Sequence, residues 1–275
     1  GLQEGLWLIY KNKYSRGMSN MLYPILTHEL QNVGRFCDFY KTHKEKIDDV
    51  HVTLDSHQEL HIAHPVFWRN KDNKNPDVFT TITLDDFNRG VYRPAITALQ
   101  GLVKNYLEQL EKNKRYSLTI WPPHCLIGTK GHGIFPEFAE ALSDWAKSQY
   151  STVDYVTKGS NFSTEHYSAI QADVPDPNDA STQANVKFLT ALQEADILLL
   201  SGEAKSHCLA NTVRDACNFF GDDSLAKKMV LLEDCTSSVW HPVPAINDIF
   251  TKMSSDFITE MTGRGMQVSN TKDFF

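Results

Sequence analysis

The sequence predicts an α/β protein with a doubly wound, mostly parallel six-stranded sheet and helices on both faces. Two observations carry this. Short apolar or β-branched runs of strand length alternate with longer segments whose apolar residues fall at helical spacing. The first such set is a strand over Gly5–Tyr10 (GLWLIY), a helix from Leu22 to about Lys44 and a strand over Asp49–Leu54 (DVHVTL). It has the proportions of a βαβ unit, whose crossover makes its two strands parallel.

The remaining elements follow in the same rhythm. Pro24 stands near the start of the first helix, where proline is tolerated. From Asp55 to Arg93 the chain is rich in Pro, Asn, Asp and aromatics and reads as a long functional loop holding short elements. A helix is predicted over Pro94–Lys112, a third strand over Tyr116–Ile120, a helix over Phe135–Gln149 and a fourth strand over Thr152–Val156. The polar stretch Ala172–Ala184 reads as a lid or rim. Then come a helix over Val186–Glu194, a fifth strand over Ala195–Leu200, a helix over Lys205–Phe220, a sixth strand over Met229–Glu233 and a last helix over Ile246–Thr262. No repeat or linker divides the chain, so one domain spanning 1–275 is expected, with an extended loop insertion at about 64–93.

Composition narrows the class. A hydrophobic fraction of 41% over 275 residues supports a sizeable core, and the apolar runs are far shorter than a membrane span. A net charge of −7 argues against nucleic acid or an anionic membrane as the main partner. The five cysteines, Cys37, Cys125, Cys208, Cys217 and Cys235, are scattered without disulfide-like spacing. Together with the lack of a recognisable signal peptide, this predicts a reducing, cytoplasmic setting.

In a doubly wound sheet, ligands bind beyond the carboxyl ends of the strands. Asp55 follows the second strand, His124 the third, Lys158 the fourth and Cys208 the fifth, so these residues converge on one rim. Cys208 lies in SGEAKSHCLANTVRD, a small-residue turn between a buried strand and a helix. At such a turn the helix dipole and backbone N–H groups favour a thiolate and can hold an oxyanion. The residues alone leave a buried core thiol as the other reading. Asp55, His57 and His61 in TLDSHQELH, with His124 in IWPPHC, offer imidazole nitrogens and a carboxylate suited to zinc, iron or manganese. His64 is a nearby spare, read as a loop histidine packed beside Pro65. Trp121 would line a pocket there, and Phe67 and Trp68 would close its other side or join the core.

These stretches, together with Lys158 in VTKGSNFSTEHYSA, resemble the nicotinamidase branch of the isochorismatase-like cysteine hydrolases from about Asp48 to near the C-terminus. The resemblance implies Cys208 as nucleophile, Lys158 as a catalytic cation, and Asp55, His57, His61 and His124 as ligands of a divalent metal, zinc first. It also implies a cis peptide at Glu203–Ala204, with the Ala204 and Cys208 amides facing an oxyanion. Trp121 would stack on the substrate ring. The implied reaction takes a small aromatic carboxamide, nicotinamide, to its acid and ammonia through a thioester. A small-molecule amide is then the partner, and self-association is common in the family.

One part of the family pattern is missing. The family carries an aspartate base at the end of the first strand, where this chain reads LIYKNKYSRG and offers Tyr10 or Ile9 instead. Positioned proton transfer is worth about 10²–10⁴-fold in rate. Three expectations follow: another carboxylate reaches in, with Glu203 and Glu4 as candidates; Lys158 and Cys208 suffice for slow turnover; or the chain is a binding protein on the same fold. A hydrolase of a different small amide stands beside these.

Overall fold

The computed structural model describes the backbone of residues 23–114 and 116–275, and side chains from residue 31 onward. The predicted strand over Gly5–Tyr10, the residues at the place of the family's aspartate and the candidate Glu4 all lie outside the described residues.

Helix α1 (Tyr23–His43) leads into strand β1 (His51–Asp55). The Asp55–Arg93 stretch then folds as β2 (Trp68–Asn70), β3 (Thr81–Ile82), α2 (Leu84–Asn88) and the start of β4 (Tyr92–Pro94). A capping box starts α2, with Thr83 Oγ1 accepting from the Asp86 amide and Asp86 accepting from the Thr83 amide. Next come α3 (Gln100–Lys112), β5 (Leu118–Thr119), α4 (Pro136–Gln149), β6 (Asp154–Lys158) and α5 (Val186–Glu194). The chain continues through β7 (Leu198–Leu200), α6 (Ala210–Phe220), β8 (Met229–Leu232), α7 (Pro244–Gly263) and β9 (Gln267–Ser269).

The single six-stranded sheet expected from the sequence is replaced, among the described residues, by smaller units. β1 pairs with β6, and β7, β8 and β9 form a three-stranded sheet, all parallel. The predicted third strand shrinks to β5 and runs antiparallel to β3. Its backbone is claimed by the insertion, since the Ile120 amide donates to Thr80 O at 2.8 Å and the Pro122–Pro123 pair that follows cannot extend a ladder. β9 escaped the sequence reading because it is three residues long and mostly exposed.

Helices cover both faces of the parallel strands, as expected. Leu198, Leu200 and Leu231 point into one core with residues of α5, α6 and α7. Leu199, Val230, Leu232, Val50 and Val52 point into another with Phe36 and Tyr40 of α1 and Trp145 of α4. This period-two division leaves both strand faces apolar, so the strands read as continuous hydrophobic runs. A third core joins α3 to the insertion and reaches the Cys208 turn, since it contains Phe67, Trp68, Trp121, Ala204 and Cys208. No helix among the described residues is long and apolar enough to cross a membrane.

Candidate active site

The site begins with strand register. Asp55 and Lys158 are the last residues of β1 and β6 and are direct partners in the parallel ladder, so their side chains leave the same face together. Lys158 is 4% exposed, and its Nζ donates to Asp55 Oδ1, to His166 O at 2.7 Å and to Cys208 Sγ at 3.7 Å. An ammonium has three N–H donors, and each of the three finds an acceptor here.

Cys208 is carried by a π turn, Lys205–Leu209, at the head of α6. Thr212 Oγ1 donates to Cys208 O at 2.8 Å, and Asn211 Nδ2 donates to His207 O at 2.8 Å, fixing both carbonyls. The Glu203–Ala204 peptide before the turn is cis. Glu203 accepts from Asn32 Nδ2 at 2.8 Å and from the Ser237 amide and hydroxyl at 3.0 and 2.9 Å. It ties α1 and the Ser237 loop to the Cys208 turn, which is a positioning task rather than that of a base.

The histidines close the other side. Asp55 turns its second oxygen, Oδ2, toward His57 Nε2 and His124 Nε2, each at 3.6 Å. The donor atoms of Asp55, His57 and His124 all lie within 4.8 Å of one another and all three residues are buried. Two backbone contacts bring His57 to the His124 loop: its amide donates to Cys125 O at 3.1 Å, and Ile127 N donates to His57 O at 3.0 Å. His57 Nδ1 lies 3.0 Å from Gly159 O, and His124 Nδ1 lies 2.9 Å from Pro122 O. A proton on each Nδ1 satisfies those carbonyls and leaves each Nε2 lone pair for a cation, the arrangement typical of metal-bound imidazole. This donor set fits a divalent ion.

His61 and His64 lie beside this group, their rings 4.8 and 5.7 Å from that of His57. Glu165, in the TEHYSA stretch, is buried with donor atoms of His57 and His61 within 4.8 Å. The sequence motif by itself gives Glu165 no role. Its one signal was a carboxylate set among small and aromatic residues just after the lysine strand.

Trp121 forms one wall of an aromatic enclosure. Its Nε1 donates to Tyr167 Oη at 2.8 Å, and its ring stands 5.3 Å from His207. The rings of Tyr167 and Phe250 also stand 5.4 and 5.3 Å from His207, the neighbour of Cys208 in the chain. Phe67 and Trp68 are fully buried, and the Trp68 indole donates to Ile62 O at 2.6 Å. His207 carried no signal in the sequence beyond its place next to Cys208.

No known family profile matches the sequence, and no curated protein matches it. Solved structures do. A nicotinamidase/pyrazinamidase from Acinetobacter baumanii is 16% identical, with 99% of each chain covered and a TM-score of 0.57. The yeast nicotinamidase is 15% identical, covering 97% of this chain and 99% of its own, also at 0.57. A Pyrococcus horikoshii pyrazinamidase, solved in complex with zinc, is 14% identical over 96% and 98% of the two chains at 0.50. The chain has the fold of the nicotinamidases and pyrazinamidases.

Two features of the site have direct consequences. Gly159 has φ +85°, and a Cβ built there would stand 2.5 Å from His57 Cε1. Gly159→Ala therefore combines a left-handed backbone with a displaced ligand ring. The variant is expected to fold and to lose metal affinity by about tenfold or more, as other disturbances of a ligand's support do. Isothermal titration of the metal-free protein measures it, and unchanged affinity would contradict the geometry.

Burial also holds several histidines neutral. His166 is pushed down to about 3, by burial first and the Lys158 cation second. Burial likewise lowers His61 and His64 below the usual 6.5. Below pH 6.5 the unfolded chain binds protons that these folded side chains refuse. Stability of the metal-free protein is thus full above about pH 6.5 and declines below it, by roughly 1.4 kcal/mol per pH unit from His166, with His61 and His64 acting in the same direction. Urea midpoints at pH 7.5 and 5.0 check this; equal midpoints would contradict it.

Proposed function

We propose that this protein is a metal-dependent cysteine amidohydrolase acting on a small aromatic carboxamide of the nicotinamide type. The observation that carries the reading is Lys158, whose ammonium joins the Asp55 carboxylate to the Cys208 thiol beside the Asp55–His57–His124 cluster. The near-complete coverage of nicotinamidase structures supports taking the whole chain as one hydrolase domain.

Asp55, His57 and His124 are the residues to hold the ion, and their mixed nitrogen and oxygen donors favour zinc, with iron or manganese as alternatives. A bound ion supplies Lewis acidity and a fixed point for a ring nitrogen of the substrate. Asp55 Oδ1 accepts from Lys158, and Oδ2, which faces His57 and His124, would be the oxygen offered to the ion. In this reading the Asp55–Lys158 pair takes over the proton handling that the family assigns to its first-strand aspartate.

The reaction divides into two steps. Cys208 Sγ adds to the carboxamide carbon, forming a C–S bond, and the Ala204 and Cys208 amides receive the charge that moves to oxygen. The C–N bond then breaks, and nitrogen leaves as ammonia with the proton taken from the thiol. Water adds to the thioester, its oxygen completes the acid and a proton returns to sulfur. Trp121 flanks the substrate ring in this arrangement.

An aldehyde in place of the carboxamide stops the sequence at addition, because it has no leaving group. A yeast nicotinamidase structure carries nicotinaldehyde as an inhibitor. Carbonyl-¹³C-labelled nicotinaldehyde is expected to show a tetrahedral carbon resonance with this protein and none with Cys208→Ala. An unchanged aldehyde resonance with the metal-loaded wild-type protein would remove the proposed nucleophile.

A further inference from the structure

The resemblance assigns four metal ligands, and the ring geometry disagrees with one of them. The amide of Ala63 donates to His61 Nδ1 at 3.2 Å. A backbone N–H can only donate, so this nitrogen is the acceptor and neutral His61 carries its proton on Nε2. Neither nitrogen then offers a lone pair: one is occupied by Ala63, the other bears hydrogen. Binding metal through Nε2 would move the proton to Nδ1 and set two N–H donors against each other.

His64 has the opposite pattern. Its Nδ1 lies 3.1 Å from Glu59 O, a carbonyl that can only accept. The proton is therefore on Nδ1 and the lone pair on Nε2. This is the same arrangement that His57 and His124 adopt against Gly159 O and Pro122 O. His64 is fully buried, and its Nε2 has no hydrogen-bond partner. A buried polar nitrogen left without one is costly unless something binds it.

Spacing agrees. The His64 ring stands 5.7 Å from that of His57 and 5.8 Å from that of His124, while those two are 4.7 Å apart. With a metal–nitrogen bond of about 2.1 Å, imidazoles sharing one ion at angles of 90–120° keep their centroids roughly 4.6–5.6 Å apart. The His64 donor atom stands outside the trio that gathers within 4.8 Å, so its ring has to close slightly on the ion.

We infer that His64, through Nε2, is the third imidazole ligand of this site, and that His61, whose buried Nε2 has no hydrogen-bond partner either, is excluded as a ligand by the Ala63 amide on its Nδ1. The inference rests on the metal-dependent reading above. It makes the site three nitrogens and one carboxylate, which favours zinc over manganese or magnesium.

Zinc titration of the metal-free full-length protein, with X-ray absorption of the zinc-loaded form, tests it. The wild-type protein should bind one zinc with three imidazoles. His64→Phe should lose affinity by about 100-fold or more and drop to two imidazoles, whereas His61→Gln should stay within about threefold of wild type with three. Circular dichroism of the metal-free variants controls for folding, and His64→Asn replaces His64→Phe if the larger side chain does not fold. Two imidazoles in the wild-type protein would overturn the assignment and leave the metal reading standing. So would loss of zinc by His61→Gln but not by the His64 variant. A wild-type protein that takes up no zinc would overturn both.

Discussion

Lys158→Met is expected to cost the metal-free protein roughly 3–5 kcal/mol of stability, the usual loss when one partner of a buried ion pair is removed. The Asp55 and Lys158 side chains are 0% and 3% exposed, so solvent cannot take over the lost interaction. The variant leaves the buried Asp55 carboxylate without its ammonium partner, beside His57 and His124, and leaves His166 O without its donor. Methionine keeps the length and apolar stem of lysine, which isolates the charge. Metal restores part of the loss by neutralising Asp55, so the deficit should shrink when zinc is added. Turnover should vanish either way, because the thiol loses its cation. Chemical denaturation with and without zinc reads both effects; a deficit below about 1 kcal/mol without metal would contradict a buried ion pair at this place.

Asp55→Asn is expected to have the second large effect, and its comparison with His124→Asn separates the two tasks of one carboxylate. Both variants should lose metal binding. Only Asp55→Asn also removes the counter-charge of Lys158, whose link to Cys208 His124→Asn leaves untouched. Activity should fall to background in Asp55→Asn, a loss of about 10⁴-fold or more when metal and proton relay go together. The aldehyde addition at Cys208, which needs the thiolate, should fail in Asp55→Asn and persist, weakened, in His124→Asn. Equal behaviour of the two variants would show that Asp55 serves the metal alone.

Much of this site was legible in the sequence because strand ends are. Asp55, Lys158 and Cys208 each follow an apolar run, and in a parallel sheet such positions share a rim. The register that pairs Asp55 with Lys158 could not be read, because a strand's pairing partner is set by tertiary contacts. For the same reason Asp55 was read only as a metal ligand, and the stand-in carboxylate was sought in Glu203 and Glu4. Glu203 is occupied with Asn32 and Ser237, two long-range contacts invisible along the chain. The histidine cluster was visible as residue types, but a ring's protonated nitrogen depends on which backbone group faces it. That is why the proposal that His64 rather than His61 is the ligand comes from ring surroundings and not from the sequence. The sheet was overcalled because YSLTI has strand composition but is captured by the insertion, whose pairing no periodicity records.

The most direct test of the account is ammonia release from nicotinamide by the zinc-loaded protein, with Cys208→Ala as control. Steady, zinc-dependent release that disappears in Cys208→Ala is the result expected from the Asp55–Lys158–Cys208 arrangement. No release from a folded protein carrying stoichiometric zinc, or equal release by Cys208→Ala, would contradict it.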